Sequence, residues 1–69
     1  MKHVEFSKSM LASVTYDADR QILDIEFANG RRYRYFEVPE IVVAGLIRAD
    51  SKGQFFNERI RDSFPSARA

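Results

Sequence analysis

Apolar residues fall on alternate positions in two separate stretches of this chain. From Met10 to Tyr16, Ala12, Val14 and Tyr16 alternate with Ser13 and Thr15; in QILDIEF, Leu23, Ile25 and Phe27 alternate with Asp24 and Glu26. A period of two is what a strand needs to bury one face and wet the other. A third run, RRYRYFEV, places Tyr33 and Tyr35 on one face and Arg32, Arg34 and Phe36 on the other. The polar DADR breaks the first strand from the second, and ANG breaks the second from the third. The opening MKHVEFSK has no clear period and reads as a mixed lead-in.

The ANG hairpin decides which side chains share a face. Asn-Gly usually signals a two-residue turn, which would set Ile25 against Arg34 and Phe27 against Arg32. A three-residue loop, Ala28-Asn29-Gly30 with Gly30 left-handed, sets Ile25 against Tyr33 and Leu23 against Tyr35 instead. On the opposite face Glu26 then meets Arg32 and Asp24 meets Arg34. A slip of one residue swaps faces, and each favourable cross-strand pair adds about 0.2–1 kcal/mol. Apolar and charged pairs together favour the three-residue loop; a five-residue loop of the same parity ranks second.

After Val38 the period changes. Pro39 suits a first helical turn, Glu40 follows where the helix dipole favours an anion, and Val42, Val43, Leu46 and Ala49 recur at helical spacing. Gly45 weakens that helix by up to about 1 kcal/mol but permits close approach. Ser51 with Gln54 three residues later forms a capping-box pattern for a second helix. Phe56 and Ile60 lie one turn apart on it, with Phe55 beside them and Phe64 near the end; Pro65 forbids continuation, and SARA reads as a frayed tail. The expected fold is α+β: a three-stranded antiparallel meander followed by two helices packed on one face. It forms a single domain over residues 1–69, with a core over about 6–64 and a tail over 65–69.

Composition narrows the function. Sixty-nine residues allow one domain that buries only about 60% of its unfolded surface. With no cysteine there is no disulfide or thiolate metal site, so packing must supply the core, and 45% hydrophobic residues suffice for that. Eleven Lys and Arg face ten Asp and Glu, a net charge of +1, so any electrostatic grip on nucleic acid must come from local clustering. No apolar run reaches membrane-spanning length and no export-signal pattern opens the chain, which makes the cytoplasm the expected location.

Several motifs occur in an order that resembles a known family. Tyr16-Asp17 ends the first strand, LDIEFANGRRYRYFEVP carries Tyr33-Arg34-Tyr35 as a Tyr-x-Tyr pair, and SKGQFFNERIRDSF closes the domain. This ordered set, with Ser51-x-Gly53, Phe55-Phe56-Asn57 and Ile60-Arg61, resembles the KTSC domain, named for its occurrence at the C-terminus of some lysyl-tRNA synthetases. Stand-alone bacterial and phage proteins belong to the same family. The resemblance runs from about Phe6 to Phe64. Thr15 stands where members often carry Gly, and Lys8-Ser9 lies where they often carry a Ser pair. The family has no established activity; the resemblance implies RNA binding only through association with a tRNA-handling enzyme.

Three groups of residues are candidate contacts for RNA. Arg31, Arg32 and Arg34 could contact phosphates, against the alternative of a solvated face neutralised by Asp24 and Glu26. Ser51, Lys52 and Gly53 could cradle an anion at a helix start, with Arg59 and Arg61 extending it, against the alternative of an ordinary cap. Phe36 could stack a base from the outer face, while Tyr33 and Tyr35 belong with the core or, alternatively, form a stacking platform. His3 is alone, so neither a metal site nor a nucleophile–base pair assembles from sequence, and Glu58 with Asp62 shows no sign of a shared pocket. No cofactor is expected and no catalysis. The expected function is a non-enzymatic binding domain, with RNA as partner, or else a protein-interaction adaptor. The adaptor would use a free sheet edge or the outer face bearing Ile22 and Phe36, which the three-residue loop sets opposite each other.

Overall fold

A computed structural model describes every residue from Met1 to Ala69. Five strands, β1 (Lys2–Glu5), β2 (Leu11–Asp17), β3 (Ile22–Phe27), β4 (Arg32–Tyr35) and β5 (Ser66–Arg68), form one antiparallel sheet in chain order. Between β4 and β5 run helix α1 (Glu40–Arg48) and a short helix α2 (Lys52–Phe55), which widens into a π-turn (Phe56–Ile60). The α+β class and the two helical segments are as expected, but the sheet has five strands, not three.

Both additional strands correct the sequence reading. The lead-in pairs Lys2 with Tyr16 and Glu5 with Ser13. Its alternation was masked because Lys2 occupies an apolar-side position beside Val4. The tail is not frayed: Ser66, Ala67 and Arg68 pair with Tyr35, Arg34 and Tyr33. Backbone bonds Phe36 N–H to Pro65 O (2.9 Å) and Ala69 N–H to Arg32 O (3.0 Å) flank this ladder. All three β5 residues are exposed, so the strand is held by its main chain, which leaves no side-chain pattern to read.

The hairpin follows the three-residue alternative. Leu23 faces Tyr35, Asp24 faces Arg34, Ile25 faces Tyr33 and Glu26 faces Arg32. Gly30 has φ +89°, Gly30 N–H donates to Phe27 O (2.9 Å) and Phe27 N–H to Arg31 O (2.8 Å), closing a turn plus bulge. The ladder stops at Tyr35, one residue short of the expected Ile22–Phe36 pair.

In β2 the register shifts between Leu11 and Ser13. Ala12 is the extra residue of this bulge, so Leu11 joins Val14 and Tyr16 beneath the helices in place of Ala12. The sheet adds Leu23, Ile25 and Tyr35; the helices add Val43, Leu46, Phe56 and Ile60. Val38 closes the core at the β4–α1 link, where its carbonyl accepts the Tyr16 hydroxyl (2.6 Å) and its N–H donates to Gln21 O (2.9 Å).

Pro39 caps α1 and Ser51 caps α2, its hydroxyl accepting Gln54 N–H (3.2 Å). Only this half of the capping box forms, because the Gln54 side chain donates forward to Glu58 (3.2 Å). Arg61 N–H then reaches back five residues to Phe56 O (2.9 Å), which widens the helix, and Phe56 and Ile60 are its buried residues.

Candidate nucleic-acid interface

The hairpin parity sorts the arginines onto two surfaces. On the outer face of the sheet, Arg34 forks onto Asp24 with Nε–Oδ1 2.7 Å and Nη2–Oδ2 3.3 Å. That hydrogen bond, with the Asp24 charge, raises the Arg34 pKa further above its already high value. Arg32 Nη2 lies 3.8 Å from Glu26 Oε1. Both pairs are exposed, so they neutralise the face more than they stabilise the fold.

The other surface lies on the helix side. Tyr35 is buried, its ring edge-on to Phe56 at 5.6 Å, and burial raises its pKa, with further upward contributions from Tyr33 and Asp62 against an opposing one from Arg61. Tyr33 is half-buried, edge-on to Phe27 at 5.9 Å, while Phe27 meets Phe56 at 5.1 Å. Beside this aromatic cluster the hairpin and π-turn bound a groove of about 420 Å³, onto which Asn57, Asp62, Arg31 and Arg61 also open. Arg68 on β5 is paired with Tyr33 and so lies on its face; with Arg31 and Arg32 it borders an adjoining depression at Gly30. Neither Arg31, Arg61 nor Arg68 belongs to any of the four ion pairs in the domain.

The remaining candidates are not gathered there. Lys52 Nζ donates to the Ala49 carbonyl and lies over the Phe6 ring at 5.4 Å. A Cβ on Gly53 would meet Met10 at 3.3 Å, so this glycine accommodates the β1–β2 loop. Ser51, Lys52 and Gly53 instead border a depression beside Ser7, Lys8 and Ser9. Arg59 packs over the Phe55 ring at 5.8 Å. Phe36 is half-buried beyond the end of β4 and does not line the groove that holds Tyr33.

Two arrangements escaped the sequence. Arg68 joins the arginine cluster through β5, which has no local signal. The other is at His3: β1 sets its Nδ1 2.8 Å from Thr15 Oγ1 and its Nε2 3.5 Å from Glu5 Oε2. This hydroxyl–imidazole–carboxylate series stands on an open sheet face with the ring half exposed, where it fastens β1 to β2. No three His, Asp or Glu side chains converge to hold a metal, and no helix is long and apolar enough to cross a membrane.

Residues 7–64 match the family model of the KTSC domain. The chain belongs to the KTSC domain family. A crystal structure of a KTSC domain protein from Yersinia pestis superposes with a TM-score of 0.89 at 33% identity, covering 99% of this chain and 96% of that one. Among sequence relatives, an uncharacterized protein of Stutzerimonas stutzeri is 48% identical over 58 residues, covering 84% of this chain and 82% of its own length. A lysine–tRNA ligase of Nostoc punctiforme is 43% identical over 56 residues; the KTSC match covers 81% of this chain and only 10% of the ligase. KTSC domains thus occur both in proteins of about this size and as a small part of a larger one.

Proposed function

We propose that this KTSC domain is a non-catalytic, cytoplasmic module that binds RNA, holding phosphates on Arg31, Arg61 and Arg68. The observation that carries this reading is the sorting of charge. Arg32 and Arg34 are matched by carboxylates across the strand, while Arg31, Arg61 and Arg68 have no ion-pair partner and gather around one half-buried tyrosine. Guanidinium forks match phosphate oxygens in pairs, and unmatched ones offer that geometry at no cost in broken salt bridges. The ligase relative supports the same direction, since its name is that of an enzyme acting on tRNA. Lys52 and Arg59, engaged with Phe6 and Phe55, stand outside the surface. A protein adaptor docking on a sheet edge is disfavoured, because β1 and β5 are four and three residues long and carry Lys2 and Arg68, features that discourage strand addition.

The test is fluorescence polarisation of a labelled single-stranded RNA pool across a salt series. Three phosphate contacts give a slope of about −2 in log affinity against log salt, from about −0.7 per contact. Arg31→Ala and Arg61→Ala should each flatten it by about 0.7, and Arg34→Ala should leave it unchanged. Lack of binding to the wild-type domain at low salt overturns the proposal.

A further inference from the structure

Resting on the RNA reading above, we infer that the groove between the β3–β4 hairpin and the π-turn is a pocket for one unpaired base, stacked against Tyr33, with the flanking phosphates on Arg31 and Arg61. Three properties of the groove select that occupant. Its inner wall is aromatic, built from Phe27, Tyr33 and Phe56, and every nucleobase has a π-face to lay against such a wall. Its polar lining includes Asp62 and Asn57. A carboxylate repels a phosphate seated inside the groove but accepts N–H donors from the Watson–Crick edge of a base, and the amide both donates and accepts. The two arginines that open onto the same groove supply the anion contacts that the carboxylate denies to its interior.

Size agrees with this division. About 420 Å³ lies in the lower part of the range for small-ligand sites, enough for one base with its ribose and too little for a paired stack. Bases in a duplex are stacked and paired, so they cannot turn into such a groove, and the pocket makes the domain a reader of single strands, bulges or ends. Tyr33 is suited to the role because it is half-buried: the fold fixes one edge against Phe27, while the buried Tyr35 two residues on serves the core.

The experiment compares a single-stranded RNA of mixed sequence with a blunt RNA duplex of equal phosphate number, on the wild-type domain and on Tyr33→Leu. Leucine keeps an apolar side chain against Phe27 and removes the π-face, and circular dichroism confirms that the variant is folded. The wild type should bind the single strand at least about 10-fold more tightly than the duplex. Tyr33→Leu should weaken single-strand binding about 10- to 100-fold while leaving the salt slope near −2. The chain has three tyrosines and no tryptophan, so tyrosine emission should fall when the wild type binds, and Tyr33→Leu should lose that fall. A folded Tyr33→Leu that binds the single strand like the wild type overturns the base pocket and leaves the phosphate surface standing. A wild-type domain that binds no RNA at low salt overturns both.

Discussion

Gly45 lies in the middle of α1, where glycine weakens a helix by about 1 kcal/mol relative to alanine. On propensity alone Gly45→Ala should stabilise the domain. The packing argues the opposite sign. A Cβ at this position would stand 2.8 Å from Phe55 Cζ and 3.0 Å from Cε2, where comfortable carbon contacts begin near 3.5 Å. The Phe55 ring must swing away, and the Arg59 guanidinium packed over it at 5.8 Å must follow. Overpacking of this kind costs about 1–3 kcal/mol; set against the propensity gain, Gly45→Ala should destabilise by up to about 2 kcal/mol. In a Phe55→Ala background the obstruction is gone, and the same substitution should stabilise by about 1 kcal/mol. Urea denaturation of the four proteins of this cycle, followed by circular dichroism, gives the coupling directly. If Gly45→Ala stabilises equally in both backgrounds, the close approach of α1 to Phe55 does not constrain the fold and the reasoning fails.

Three further outcomes follow from single contacts. Tyr16→Phe deprives the Val38 carbonyl of its buried donor and should cost about 1–3 kcal/mol in urea denaturation, where a change under about 0.5 kcal/mol would show that the bond adds nothing. Burial raises the Tyr16 pKa, with Glu40 and Asp17 adding to it, and burial likewise raises that of Tyr35, so the folded state keeps phenolic protons that the unfolded chain releases near pH 10. Stability should therefore be intact below pH 10 and fall above it by up to about 1.4 kcal/mol per pH unit for each of the two, with Tyr16→Phe removing one share; a flat profile from pH 9 to 11 refutes this. Gly30→Ala meets nothing within 4 Å, so its cost is the backbone's alone: at φ +89° about 1–2 kcal/mol, a melting temperature lower by roughly 4–8 °C per kcal/mol, with Gly30→Asn losing less.

Where side chains carry the information, the sequence anticipates the structure closely. The register of β3 on β4 follows from charge and apolar matching, and the buried faces of α1 and the π-turn follow from the spacing of Val43 and Leu46 and of Phe56 and Ile60. What was not legible depends on the main chain. The Ala12 bulge puts Leu11 inside against the simple alternation, and β5 joins the sheet through backbone bonds with every side chain exposed. The π-turn is made by the five-residue return from Arg61 N–H to Phe56 O, and no residue type announces it. The candidate site suffered from the same cause. Six basic residues were grouped by their place on the third strand and the second helix, but Arg68, the member that completes the cluster, lies in a strand that only backbone pairing creates.

That gap shows how little sequence separates the two faces of this sheet. Tyr33 and Tyr35 alternate with Arg32 and Arg34, so one extra loop residue at Ala28-Asn29-Gly30 decides whether β4 presents phenols or guanidinium groups to the helices. With the loop as it stands, each arginine on the outer face lies opposite an acid on β3, while Arg31, at the exit of the loop, lies opposite none. Its N–H donates to the Asn29 side chain (3.0 Å) and its carbonyl accepts from Phe27, which fixes its backbone at the mouth of the aromatic groove. The turn that sets the core is thus also the turn that leaves one arginine unneutralised beside Tyr33. A shorter loop would pair Ile25 with Arg34 and abolish both at once, so a variant lacking Asn29 should lose stability and RNA affinity together, whereas Arg31→Ala, which keeps the register, should lose affinity alone.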